Sequence, residues 1–268
     1  ETATNHVLGM EVVLEDGSMV NLGSPIDEPV REVPGYDLRG AFVGSEGTFG
    51  IATKIVVRLL PVPQTVKTIL GAFPDINEAC TSVSSIIAQG IVPAALEMMD
   101  ANTIRAVQAN MDAGYPNDAG AVLLVELEGL HEEVEEDANR VEAALWDTGA
   151  VQVNVAQQEE ERVKLWLGRK TAFGAFGNIA PNMYLVDGVV PRTKLTQVLA
   201  EVGDIGRQYA IVIANVFHAG DGNLHPCILF DEREPGALER ATAASGEVKN
   251  GSTTNNKISF FSKRLKAI

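Results

Sequence analysis

The 268-residue sequence is poor in histidine, poorer still in cysteine, and has no long apolar run; each shortage narrows what the protein can be. Cys80 and Cys227 are the only cysteines and stand far apart, which excludes a disulfide framework and makes a reducing compartment the default. No apolar stretch approaches the roughly 18 residues that a spanning helix needs, and the N-terminus lacks a basic then apolar signal. Basic residues number 21 against 36 acidic ones, giving a formal charge of -15 and a pI near 4.7. Such a surface repels nucleic acid and anionic membrane. Also missing are the GK[ST] of a Walker loop, a GxGxxG opening a helix, the HExxH of a zinc hydrolase and any nucleophile motif. No internal repeat is evident. An initiator Met is absent and the chain opens almost directly on a strand pattern, so a fragment is expected.

What is present reads as globular. Apolar residues make up 46% and charged ones 21%, and the length suits one large or two modest domains. Two β-rich runs, 7–14 and 18–22, flank Asp16-Gly17 and predict a hairpin. Residues 25–36 are loop. Gly40, Gly44, Gly47 and Gly50 then punctuate an apolar segment that becomes a strand at 53–60. Such spacing lets backbone approach a ligand, with Ser45 and Thr48 able to donate to phosphate or ribose oxygens, or it is a glycine-rich turn without a ligand. Pro61-Val62-Pro63 marks a domain boundary.

Beyond it strands and helices alternate. Strands are predicted at 66–73, 92–98, 121–128, 151–155, 184–190, 209–217 and 224–230. Helices are predicted from Asp75 to Gln89 with Gly90 as the stop, from Asp100 to about 111, at 131–147, from 157 to about 173, after Pro191 and from 234. The acidic run at 132–137 is a solvated helix face. This order suits an α+β sheet with helices on one face and equally a doubly wound sheet; periodicity does not choose.

The stretch VFHAGDGNLHP, residues 216–226, spends two of the four histidines on one tight loop. His218 ends a strand and His225 starts the return, so two imidazoles converge beside Asp221. This is either a cation site or a glycine-rich hairpin whose histidines only hydrogen-bond. From 248 onward the chain carries five Lys and Arg and no acid, so the residues before it hold a charge of -20. Such a break reads as a disordered extension, an engineering scar, an altered reading frame or a basic interaction tail.

Taken together, NHVLGMEVVLEDG, PGYDLRGAFVGSEGTFGIATKIVVRLLP, RKTAFGAFGNIAPNMYLVDGVVP and VFHAGDGNLHP resemble the flavin-linked oxidases of the vanillyl-alcohol oxidase superfamily. Within it the resemblance is to the glycolate oxidase flavoprotein family, related to D-lactate and D-2-hydroxyglutarate dehydrogenases, and it runs from the first residue to about Val248. It implies an α+β architecture: the C-terminal part of a VAO/PCMH-type FAD-binding domain at 1–63, then a ferredoxin-like FAD-linked oxidase C-terminal (cap) domain at 64–248, incomplete. Residues 249–268 are expected to be a divergent, disordered basic tail.

By the same resemblance Gly44, Ser45, Glu46, Gly47, Thr48, Gly50 and Ile51 match an FAD-contacting motif. His218 and His225 match the histidines that hold a divalent metal (Zn, Mn or Fe), with Asn223 in the same catalytic loop, and Arg169 matches the arginine that clamps a substrate carboxylate. The implied reaction is oxidation of a small D-2-hydroxy acid by hydride transfer to FAD, the metal polarising the hydroxyl. Implied partners are a second flavin-type subunit and an iron-sulfur subunit, in the cytoplasm, with attachment to the inner membrane through those subunits left open. Two departures stand out. The first FAD subdomain does not precede residue 1, and a basic tail occupies the place of the GEHG-type motif that would supply a third metal ligand. Glu247 is the nearby carboxylate, with nothing to mark it as that ligand. The polypeptide by itself is therefore expected to hold FAD poorly and to be inactive; a binding module that keeps the cap-domain fold is the alternative.

Overall fold

The computed structural model describes the backbone of residues 3–251 and 259–266 and the side chains of residues 4–249. The chain divides into two compact units, residues 1–62 and 63–268.

The first unit contains α1 (Ala3–His6), β1 (Val7–Val13), β2 (Met19–Gly23), α2 (Leu38–Phe42) and β3 (Ile51–Val57). Its sheet is antiparallel in the order β2-β1-β3. The hairpin closes where Asp16 and Gly17 turn the chain: Gly17 has φ +82°, and Asp16 Oδ1 accepts from Ser18 N at 2.9 Å. Val7, Met10 and Val12 form a small core beneath it.

The second unit contains β4 (Thr65–Phe73), α3 (Ile76–Ala88), β5 (Ala95–Asp100), α4 (Ala101–Asn110), β6 (Ala121–Gly129), α5 (His131–Asp147), β7 (Gln152–Val155) and α6 (Glu159–Ala175). Then follow β8 (Asn182–Val189), α7 (Leu195–Gln208), β9 (Val212–His218), β10 (Asn223–Leu224), β11 (Pro226–Phe230), α8 (Ala237–Gly251) and β12 (Ser259–Lys266). The sheet runs β10-β8-β11-β9-β5-β6-β4-β7, with β12 along the other side of β8. Every pairing among the described residues is antiparallel, so the doubly wound parallel reading is set aside and the α+β reading stands.

The expectation of helices on one face is corrected. Ile69, Phe73, Leu123 and Val125 bury one face of the sheet under α3, α5, α7 and α8, while Leu70, Ala72, Val122 and Leu124 bury the other under α4 and α6. Strands such as β6, apolar at consecutive positions, need cover on both sides. Asp75 caps α3 by accepting from Asn77 N and Glu78 N, and Gly90, at φ +79°, follows its end. Pro191 leads into a short 3₁₀ turn at Arg192–Lys194 before α7, rather than opening α7 itself. No described helix is long and apolar enough to cross a membrane.

The basic tail, expected to be disordered, is described in part. Residues 259–266 pair with β8 from Ser259↔Val189 to Lys266↔Asn182, because an edge strand presents a row of backbone donors and acceptors to any extended segment that reaches it. Residues 252–258, 267 and 268 lie outside the described residues.

Candidate functional site

The site is built on the register between β5 and β9, which sets Glu97 directly opposite His218. Alternation along both strands turns these two side chains to the face covered by α4 and α6. On α6, Leu165, Gly168, Arg169 and Ala172 fall on the buried stripe at helical spacing, so Arg169 points inward with them. The approach is close: a Cβ on Gly168 would stand 2.6 Å from both Ala113 Cβ and Tyr115 OH. Arg169 donates from Nε to Glu97 Oε2 at 2.9 Å, and its NH2 lies 2.8 Å from the same oxygen. His218 Nδ1 is 2.6 Å from the other oxygen, Glu97 Oε1.

The loop after β9 brings the second imidazole back. Gly222 has φ +71°, and a Cβ there would stand 2.1 Å from Val190 O, so only glycine fits the turn. Gly220 N donates to Leu96 O at 3.2 Å, tying the loop to β5 next to Glu97. Asn223 pairs across the ladder with His218, and its side-chain oxygen is buried without a hydrogen-bond partner. His225 is 9% exposed and meets His218 edge to face, ring centroids 5.2 Å apart, with the Phe173 ring 6.3 Å away. Its Nδ1 lies 3.4 Å from Asp187 Oδ1 in an orientation that makes no hydrogen bond, so this buried nitrogen is unpartnered.

The charges reinforce one another. Burial works hardest against ionising Glu97, yet the His218 hydrogen bond and the Arg169 charge outweigh it and hold the carboxyl below its usual range. The Glu97 hydrogen bond raises the His218 pKa against partial burial, whereas burial lowers that of His225 against the pull of Asp187.

Of the residues expected from sequence, the structure brings Arg169, His218, His225 and Asn223 into one place. Gly44, Ser45, Glu46, Gly47, Thr48, Gly50 and Ile51 lie in the first unit, before and at the start of β3. Gly44 and Gly47 have φ +89° and +79°, and a Cβ on either would meet nothing within 4 Å, so the space beside them is open. Thr48 instead spends its hydroxyl on Ser45 O at 2.6 Å. Glu247 sits on α8 and accepts from Tyr209 OH at 2.7 Å, so it is engaged away from the histidine loop.

Glu97 and Asp187 are the members that sequence reading overlooked. A carboxylate in the apolar run Leu96-Glu97-Met98-Met99 was the available signal for Glu97, since a buried charge requires partners. Among the described residues no group of three His, Cys, Asp or Glu side chains is placed to hold a metal ion.

Residues 62–256 match the family described as FAD linked oxidases, C-terminal domain. The chain is 46% identical over 244 residues to the glycolate oxidase subunit GlcD of Escherichia coli strain K12, covering 91% of this chain and 48% of that one. It is 32% identical over 243 residues to a probable mitochondrial D-lactate dehydrogenase of Danio rerio, covering 89% and 48%. It thus spans about half the length of the curated relatives it matches. In fold it is similar to 4-ethylphenol oxidase from Gulosibacter chungangensis, with TM-score 0.72 and 15% identity over 93% of this chain and 56% of that one.

Proposed function

Because the chain belongs to the FAD linked oxidases, whose C-terminal domain it carries over residues 62–256, we propose that it takes part in FAD-dependent oxidation of a small D-2-hydroxy acid to the 2-oxo acid. The observation that carries this reading is the convergence of the buried Arg169 guanidinium with two imidazoles, His218 and His225. A guanidinium suits a carboxylate, and an imidazole beside it suits the hydroxyl on the neighbouring carbon. Glycolate and D-lactate, named for the relatives above, have that pattern.

Arg169 anchors the carboxylate. His218 presents Nε2 to the hydroxyl proton, since Nδ1 is engaged by Glu97. His225 and Asn223 pack beside His218 and help to shape the site around it. FAD, when bound, supplies the acceptor for the hydride. The backbone of residues 44–51, through Gly44, Ser45, Gly47 and Thr48 in particular, would lie against it. The same stretch is largely exposed, and we propose that the 268-residue chain by itself holds FAD poorly. His218 and His225 alone would bind a divalent cation weakly. The relative's being a subunit supports partner subunits for this chain as well; an iron-sulfur subunit among them and a cytoplasmic or membrane-peripheral location are proposed on the motif resemblance alone.

The test is dye reduction by the FAD-loaded protein with its partner subunits, using glycolate and D-lactate. His218→Ala is expected to lower kcat by about 10² or more, and Arg169→Met to lower kcat/KM chiefly through KM. Wild-type rates in both variants would sink the reading. If the 268-residue chain alone purified yellow and reduced the dye with glycolate, the proposal of weak FAD retention would fall.

A further inference from the structure

Glu97 takes no part in the reaction just proposed, yet Arg169 and His218, which do, are both fastened to it. It is 7% exposed on β5, and burying a lone carboxylate is costly unless its oxygens are matched. Here each oxygen has its own cation or donor: Oε2 takes Nε and NH2 of Arg169, and Oε1 takes Nδ1 of His218. The guanidinium comes from α6 and the imidazole from β9, 72 and 121 residues away in sequence. A single carboxylate therefore links α6 to β9, two elements with no hydrogen bond between them among the described residues.

The bonds also fix which atoms remain. With Nε and one side of NH2 taken, Arg169 has NH1, which makes no hydrogen bond to the described residues, and the outer edge of NH2 for a ligand. With Nδ1 taken, His218 has Nε2. We propose that Glu97 is the positioning residue that fixes the free edge of Arg169 relative to Nε2 of His218, so that the site selects acids whose hydroxyl is on the carbon next to the carboxylate. This rests on the hydroxy-acid reading above. A 3-hydroxy acid separates the two groups by one more carbon and meets the two anchors at a different spacing. Aspartate at this position keeps the charge but is one methylene shorter, and moves both partners. Glutamine keeps the shape but turns an NH2 toward one of two donors.

Two measurements test the proposal. The first is free of activity: ¹⁵N–¹H long-range spectra of the histidine-labelled 268-residue chain, with His218 assigned by the loss of its signals in His218→Gln. The expected result above the His218 pKa is a proton on Nδ1 and a bare Nε2, with this tautomer lost or mixed in Glu97→Gln. A wild-type His218 carrying its proton on Nε2 would overturn the proposal, and this outcome needs no variant to fold. The second is kinetics of the FAD-loaded protein with its partner subunits on matched 2-hydroxy and 3-hydroxy acids. Glu97→Asp is expected to erode the preference for the 2-hydroxy acid at least about tenfold, and Glu97→Gln to cut kcat/KM about 10²-fold, as for a displaced catalytic group. Unchanged selectivity in both folded variants would also overturn it, since a merely structural role would lower thermal stability and leave selectivity alone. If the wild-type protein oxidises no hydroxy acid, the functional reading fails by itself, and the tautomer measurement still decides whether Glu97 positions His218.

Discussion

At the scale of single residues, Asp100 shows how much one carboxylate can hold. It ends β5 in the interior, caps α4 by accepting from Thr103 N at 2.9 Å, and accepts from Asn215 N at 2.9 Å and Asn215 Nδ2 at 2.8 Å. Burial raises its pKa while these bonds oppose the rise. Asn215 lies on β9 three positions before His218, so the same carboxylate steadies the strand that delivers the imidazole. Asp100→Ala strands three buried donors and is expected to lower stability by about 2–4 kcal/mol. Asp100→Asn keeps one acceptor and should fall between. Urea unfolding followed by circular dichroism measures both; a loss near zero for the alanine variant would show that water replaces the bonds.

Among the elements, the turn between β9 and β10 is tightly constrained. Gly222 combines a positive φ with contact to the Val190 carbonyl, and Gly222 O in turn accepts from Val190 N at 2.9 Å. Arg192 NH1 donates to Gly220 O at 3.2 Å from the segment that leads into α7. A methyl group at position 222 must therefore displace the chain around residue 190 or the loop itself. Gly222→Ala is expected to cost about 2 kcal/mol or more and to shift the imidazole signals of both His218 and His225. Equilibrium unfolding gives the first quantity and histidine NMR the second. A stable variant with native histidine signals would contradict the geometry.

For the molecule as a whole, the nine-stranded sheet is closed on the β8 side by β12. Truncation after residue 258 would restore β8 to an edge with unpaired backbone groups. Its amides between 182 and 189 are expected to exchange with deuterium faster, with the amides of β6 in the centre unchanged. Equal exchange in the two proteins would mean that β12 adds no protection.

The sequence by itself determined much that is local. The Asp16-Gly17 hairpin, the Asp75 and Asp100 caps, the alternation of helices and strands and the doubled histidines of 216–226 were all readable, because turn chemistry, capping and apolar period act within a few residues. Arg169 and the exposed glycine stretch were singled out through motif resemblance. Tertiary structure alone decided that helices cover both faces of the sheet, that residues 259–266 lie along β8, and that Glu97 joins Arg169 to His218. Those outcomes depend on which strands become neighbours and on their register. No local pattern around Glu97 encodes a partner 121 residues away, whereas a buried carboxylate in the folded sheet must find one.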